Sequence, residues 1–356
     1  MMRRDFFTSA TLSVFLSLGS MQAPAEEKII RDAAELRAAL KELADGTTLK
    51  LAAAEYGGGY AVANRRQLHI TALDPDKKPT FTGGNQAWHF SRCEGLQVSH
   101  LIIRRQKHNG LNIDDGGDRD KPVKGVTLRH LEVSDIGPQG NFDGIKCSGL
   151  TDLRIEDCHL HGWGGQGIDF VGCHQAIIRD CVLKGKEGFS ASAGIQLKGG
   201  SSDVTVQQCF FVNASPRPLN IGGSTGLEFF RPPDAKAEAS RITVKNNRIE
   251  GSECAAAFVG VDGCEFFSNH IIHPRKWIFR ILQETRAPGF VPCRQVNIRD
   301  NRIEFQRAQV RTEINIGEGT AAETFVFSGN HWVCSDQPQA SKPQLPVKET
   351  KGHYGP

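Results

Sequence analysis

The chain has 356 residues, with 43 Lys and Arg against 40 Asp and Glu, for a net charge of +3. That near-balance excludes the basic excess of a nucleic-acid-binding protein. No linker-like shift in composition splits the chain, so one long domain is expected, acting as a monomer.

Residues 1–25 stand apart. Arg3-Arg4-Asp5-Phe6-Phe7 precedes a short apolar run from Ala10 to Met21, and Ala23-Pro24-Ala25 offers small residues for cleavage. This pattern reads as a bacterial export signal of the twin-arginine type, which implies a periplasmic or secreted product. The run is too short for a membrane span, and the rest of the chain offers no other. Residues 26–45 carry Ile29, Ala33, Leu36, Leu40 and Leu43 on one helical face. Asp32 with Glu35 three residues on forms a capping box, so the helix is expected to start at Ala33. A lone amphipathic helix in front of a repeat array serves best as a cover for its open end.

From residue 46 to 334 one template returns about ten times. An apolar residue is followed by a second two positions on, by Leu, Cys or Asn at five, and by another apolar residue at seven. Copies include Leu96-Val98-Leu101-Ile103, Leu153-Ile155-Cys158-Leu160, Val204-Val206-Cys209-Phe211 and Val296-Ile298-Asn301-Ile303. Starts fall 22 to 38 residues apart, which is the period of a solenoid. Alternation over four residues marks a half-buried strand. A second strand follows each copy, as in Leu111-Asn112-Ile113, Ile145-Lys146-Cys147, Ile168-Asp169-Phe170, Ile195-Gln196-Leu197 and Leu219-Asn220-Ile221. Stacking the coils superposes Cys158, Cys181 and Cys209, and likewise Asn247, Asn269, Asn301 and Asn330. The cysteines read as small buried fillers and not as bridges, and none has zinc-site spacing. Stacked asparagines can bond each other and the turn backbone. Residues 335–356 read as a polar tail.

These ladders resemble the right-handed parallel β-helix proteins, the superfamily of pectate lyases, polygalacturonases and alginate or chondroitin lyases. The resemblance covers residues 45–334. It implies an all-β solenoid of about ten coils behind an N-terminal capping helix, with function on an outer face or the turn loops.

The second strands supply that face. Their outward column reads Asn112, Lys146, Asp169, Gln196, Asn220 and Asn315, and Arg280 is expected on the same sheet. Such a row at strand pitch suits an extended polymer lying across the coils. Trp163 and Phe229-Phe230-Arg231 sit on flanking loops, where aromatic faces can stack on sugar rings. Lys198-Gly199-Gly200-Ser201-Ser202 is similar to polysaccharide lyase family 6, whose members carry a base lysine at a strand end before a Ser-rich turn. The resemblance makes Lys198 the base. That family's acid arginine falls on Gly222, so Arg217 or Arg280 is expected to neutralise or donate in its place. Its acidic calcium ligands have no match in Ser192-Ala193-Gly194-Ile195.

Asn141-Phe142-Asp143-Gly144 resembles the polygalacturonase motif Asn-Thr-Asp-Gly, making Asp143 and Asp169 an alternative acid and base. Gly194-Ile195-Gln196 replaces that family's histidine segment, and Arg280-Ile281-Leu282 lacks its lysine. Strand geometry sets Asp143 about 11 Å from Asp169, beyond the about 6.5–9.5 Å of an inverting pair. The loop carrying Asp114, Asp115, Asp118 and Asp120 is a candidate for calcium, since hard oxygen ligands suit that ion. It lacks EF-hand spacing, and no cofactor is assigned.

The expectation is an exported protein that cleaves an acidic, uronate-containing polysaccharide by β-elimination. Lys198 would be the base and Arg217 or Arg280 the neutralising cation, with Lys146, Asp169, Gln196, Asn220 and Trp163 binding the sugar. The competing readings are a glycoside hydrolase of polygalacturonase type, a uronan epimerase, and a non-catalytic glycan-binding or envelope protein.

Overall fold

The computed structural model describes residues 26–356, so the export-signal expectation lies outside the described residues. Three long sheets of 12, 11 and 10 strands run along the molecule, each strand pairing with those one coil before and after it. The pairing is parallel, as in Val123–Arg129 on Leu150–Glu156 and Ile145–Ser148 on Gln166–Val171. This is the right-handed parallel β-helix expected from the repeat. The alternating apolar positions are buried: Leu96, Val98, Leu153, Ile155, Val204 and Val206 all belong to one continuous core.

The turn between the first two sheets explains the ladder. His100, His130, Asp157, Asp180, Gln208, Asn246, Ser268 and Asp300 have φ between 52° and 56°, and Gly329 has φ 63°. Each lies immediately before a ladder position. One left-handed residue per turn costs least for glycine and is met most often otherwise at polar residues such as Asn, Asp and His. It also turns the next backbone N–H inward, where it needs an acceptor. Asn269 Oδ1 takes the Asn247 N–H at 3.0 Å, Asn301 Oδ1 takes that of Asn269 at 2.9 Å, and Asn330 Oδ1 takes that of Asn301 at 3.0 Å. Cys209 N–H donates to Asn247 Oδ1 at 2.9 Å, which joins the cysteine run to the asparagine run. All ten cysteines are free and buried.

Both ends are closed. Ala33–Lys41 is helical, with Asp32 Oδ1 accepting from the Ala34 and Glu35 N–H groups and Glu35 Oε2 accepting from Arg31 N–H. Leu36 is fully buried in the end of the core. Residues 26–45 are not helical throughout: Glu27–Ile30 is a strand that pairs with Thr48–Leu51 and opens the first sheet. At the other end His353–Tyr354 pairs with His331–Cys334. Glu349 accepts from Asn330 Nδ2 at 2.8 Å and Trp332 Nε1 at 2.9 Å, ending the amide ladder on a carboxylate. No helix among the described residues is long and apolar enough to cross a membrane.

Candidate functional site

The ten-stranded sheet carries the polar column. In register it runs His89, Asn112, Lys146, Asp169, Gln196, Asn220, Ala257, Arg280 and Asn315. One pleat further on stand Ser91, Asp114, Ser148, Val171 and Lys198.

A charged knot lies at its centre. Lys146 Nζ donates to Asp143 Oδ2 at 3.1 Å and to Asp169 Oδ2 at 2.7 Å, and both carboxylates are fully buried. One nitrogen bonded to both acids keeps their oxygens within about 6 Å, so the 11 Å separation is corrected. That figure assumed an extended strand through residues 141–144. The strand starts only at Ile145, and Asp143 folds inward, with its Oδ1 accepting from Gln166 N–H at 2.9 Å. Lys198 Nζ stands 3.2 Å from Asp169 Oδ1, an ion pair outside hydrogen-bond direction that leaves this oxygen without a hydrogen bond. Burial, with Asp169 beside it, pushes the Asp143 carboxyl up to about 6. Burial works against the Lys146 ammonium, yet Asp169 and Asp143 outweigh it and hold its pKa above that of an ordinary lysine.

Above this knot opens a cleft of about 650 Å³ lined by His89, Asp114, Lys146, Lys198, Phe229 and Arg231, among others. Its far wall is the excursion after the strand Arg217–Gly222. The Arg231 guanidinium grips the buried Asp115 carboxylate with two bonds, 2.5 Å from Nε and 2.9 Å from Nη2. Arg119 Nη1 donates to Glu228 O at 2.9 Å across the same junction. Glu238, fully buried, accepts from Gly199 N–H at 2.9 Å and from Thr225 N–H and Oγ1 at 2.8 and 2.7 Å. It ties the turn after Lys198 to this wall. Phe229 is 53% exposed and offers the cleft an aromatic face.

His89 is a residue that the sequence reading missed. Its Nε2 donates to Asp114 Oδ2 at 2.7 Å, and Asn112 Nδ2 donates to the same oxygen at 3.0 Å. The bond to Asp114 raises the imidazole pKa against the opposing effect of burial. Burial pushes the Asp114 carboxyl up, but its bonds to His89 and the Gly116 N–H hold it below the usual carboxylate value. Trp88-His89-Phe90 alternates like the later second strands, so extending the outward column one coil upstream of Asn112 would have found it.

Several expected members lie elsewhere. Trp163 is a correction: it is 1% exposed and its Nε1 donates to Ala193 O at 2.8 Å, so its indole fills a corner of the core and cannot stack on a sugar. Gln196 and Asn220 are buried, Gln196 donating to Gly222 O and Asn220 accepting from Arg217. Asp169 is sealed beneath the two lysines and reaches no ligand directly. Arg217 and Arg280 lie outside the cleft, further along the sheet. No side chain fits at position 222, because a Cβ there would lie 1.8 Å from Val259 O. The candidate calcium loop is also corrected. Asp114 and Asp115 are engaged by His89 and Arg231, and among the described residues no three His, Cys, Asp or Glu side chains converge as a metal site.

Comparison with known proteins agrees with this architecture. A family model described as the right handed beta helix region matches residues 87–231. No curated protein matches the chain in sequence. Among solved structures, the alginate lyase from Paenibacillus sp. is 16% identical with a TM-score of 0.55, over 83% of this chain and 99% of that one. The A-module of a mannuronan C-5 epimerase from Azotobacter vinelandii is 12% identical with a TM-score of 0.62, over 93% of this chain and 89% of that one. A tailspike from an Acinetobacter baumannii bacteriophage, a capsular polysaccharide depolymerase, is 11% identical with a TM-score of 0.54, over 93% of this chain and 62% of that one. At such identities the likeness is one of fold. Strand order, ladder and family model agree, and the chain is a right-handed parallel β-helix protein.

Proposed function

We propose that this is an exported, carbohydrate-active protein that cleaves an acidic polysaccharide by β-elimination, with the cleft around Lys146 and Lys198 as its site. Removing the proton beside a uronate carboxylate builds charge onto that carboxylate, so the site needs a fixed cation, a base and a proton donor. Lys146 is the fixed cation, because two buried carboxylates hold its ammonium charged. Lys198 is ion-paired with Asp169 at 3.2 Å but makes no hydrogen bond to either acid, and its Nζ turns to the substrate as the base. His89, oriented by Asp114, faces the same cleft and is the donor to the leaving oxygen. Phe229 offers the sugar an aromatic face. Arg217 and Arg280 are not assigned to the reacting sugar.

The single observation behind this reading is the knot of Lys146, Lys198 and Asp169 on the floor of an open cleft. For a hydrolase of polygalacturonase type, the oxygens that Asp143 and Asp169 turn to Lys146 lie within about 6 Å, closer than the about 6.5–9.5 Å of an inverting pair. Both acids are also sealed below the lysines, where no glycosidic oxygen can reach them. The alginate lyase and mannuronan epimerase of similar fold suggest which polymers to try first. The test is incubation with a panel of uronans, followed by the ultraviolet absorbance of an unsaturated product. Lys198→Ala should lower turnover by about 10²–10⁴, and Asp143→Asn by much less. New reducing ends without absorbance, lost in Asp143→Asn and kept in Lys198→Ala, would establish the hydrolase instead.

A further inference from the structure

Beyond the cleft the same sheet carries two more cations. Arg280 lies five strands along the outward column from Lys146, about 24 Å at the spacing of paired strands. Its guanidinium rests 4.5 Å over the Trp277 ring, and its Nε donates to Asn315 Oδ1 at 2.9 Å. Among the described residues no carboxylate lies within 4.0 Å of it. Arg217 uses one nitrogen for both its polar contacts, 3.4 Å to Asn220 Oδ1 and 3.3 Å to Glu284 Oε1. Register places Arg217 opposite residue 254, two strands from Trp277.

Arg217 thus pairs with the partly exposed Glu284, while Arg280 beside it has no carboxylate in contact. Burial and the charge of Arg217 lower the pKa of Arg280, outweighing the more distant carboxylates of Glu284 and Glu253. Holding an arginine half-buried without a counter-ion is costly, and Trp277 and Asn315 fix its orientation without supplying one. Guanidinium geometry matches a carboxylate with two parallel bonds. Both arginines lie on the same sheet as the cleft floor, Arg280 in the same outward column as Lys146.

We infer that Arg280 and Arg217 form a second anion site that takes the carboxylate of a distal uronate in the same polymer chain whose reacting sugar occupies the cleft. The inference rests on the proposed uronan substrate, and it makes the protein selective for long, repeatedly charged chains. A neutral stretch or a short oligosaccharide engages the cleft and leaves the arginines empty.

The test is calorimetric binding of uronan oligosaccharides of graded length to the wild type, Arg280→Met and Arg280→Lys. The longest oligosaccharides should bind Arg280→Met about tenfold or more weakly, the value of one charge-assisted bonded pair. That deficit should shrink as the chain shortens, and Arg280→Lys should recover part of it. Arg217→Met should weaken binding in the same length-dependent way, by less, since Glu284 already compensates it. Equal affinity of wild type and Arg280→Met at every length overturns the inference, and so does an equal loss at every length. Because binding is measured, its failure is distinct from that of the lyase reading. A wild type that binds long uronans through Arg280 but releases no unsaturated product retires the lyase and leaves the anion site standing.

Discussion

Lys146→Met tests the knot most directly. The substitution keeps most of the side-chain stem and removes the ammonium from between two fully buried carboxylates. Breaking a buried pair by removing one partner costs about 3–5 kcal/mol, because the remaining charge is left uncompensated. Here two carboxylates within about 6 Å would face each other, with only Lys198 left against Asp169. The penalty must depend on pH. A carboxyl whose folded pKa lies above its unfolded value binds its proton more tightly when folded. Stability is then full below the unfolded pKa and falls as pH rises, until the folded pKa is passed. For wild-type Asp143 the rise from 3.8 to about 6 amounts to about 3 kcal/mol lost across that window. Without Lys146 the folded pKa moves higher still, and the loss continues towards neutrality.

Urea unfolding followed by circular dichroism at pH 4.5 and pH 8 should therefore show a wide gap between variant and wild type at pH 8. The gap should narrow markedly at pH 4.5, where Asp143 is protonated in the variant. Adding Asp143→Asn to Lys146→Met should recover much of the loss at pH 8, a non-additivity expected of groups in one network. A gap of the same size at both pH values, or none at all, would falsify the claim that Lys146 holds two buried negative charges.

Two further predictions concern the ladder and the cleft. Asn269→Leu orphans the Asn247 N–H and removes the Asn269 bonds to Val244 O and Asn301, so it should destabilise by about 1–3 kcal/mol or more, read as a lowered urea midpoint. A midpoint equal to that of the wild type would show that the ladder contributes no stability. The alkaline limb of the pH–rate profile should report His89, whose proton Asp114 retains to higher pH; in Asp114→Asn that limb should move to lower pH, and an unmoved limb removes His89 as the donor.

The fold was legible because a solenoid writes its packing into local sequence. Inward positions alternate within each strand, and Asn247, Asn269, Asn301 and Asn330 recur wherever a left-handed turn leaves an inward N–H to be bonded. The outward columns were legible for the same reason, since one residue per coil fixes the register: Lys146, Asp169 and Lys198 stand where the template places them. What the template does not encode is the behaviour of segments between strands. The Arg231–Asp115 pair joins residues 116 apart in sequence and builds the cleft wall, yet neither lies in a repeat position that points to the other. Trp163 looked like a sugar platform because Gly164-Gly165 marks a corner, but a corner turned inward buries its indole.

Asp143 carries the same distinction into the chemistry. Measured along an ideal strand, it was too far from Asp169 to form a catalytic pair, and that distance counted against the hydrolase. In the folded chain the acids lie closer than an inverting pair and are buried as well, so the same reading loses on different grounds. The difference has a mechanistic consequence. Two acids placed far apart would be independent surface groups. Two acids sealed together beneath Lys146 form a charge reservoir that fixes one ammonium in place and brings Lys198 against Asp169. The carboxylates then act on the substrate only through the lysines above them. An Asp169→Asn variant should therefore disturb turnover through the positions and charges of Lys146 and Lys198, while Asp143, one ammonium further from Lys198, matters chiefly to stability.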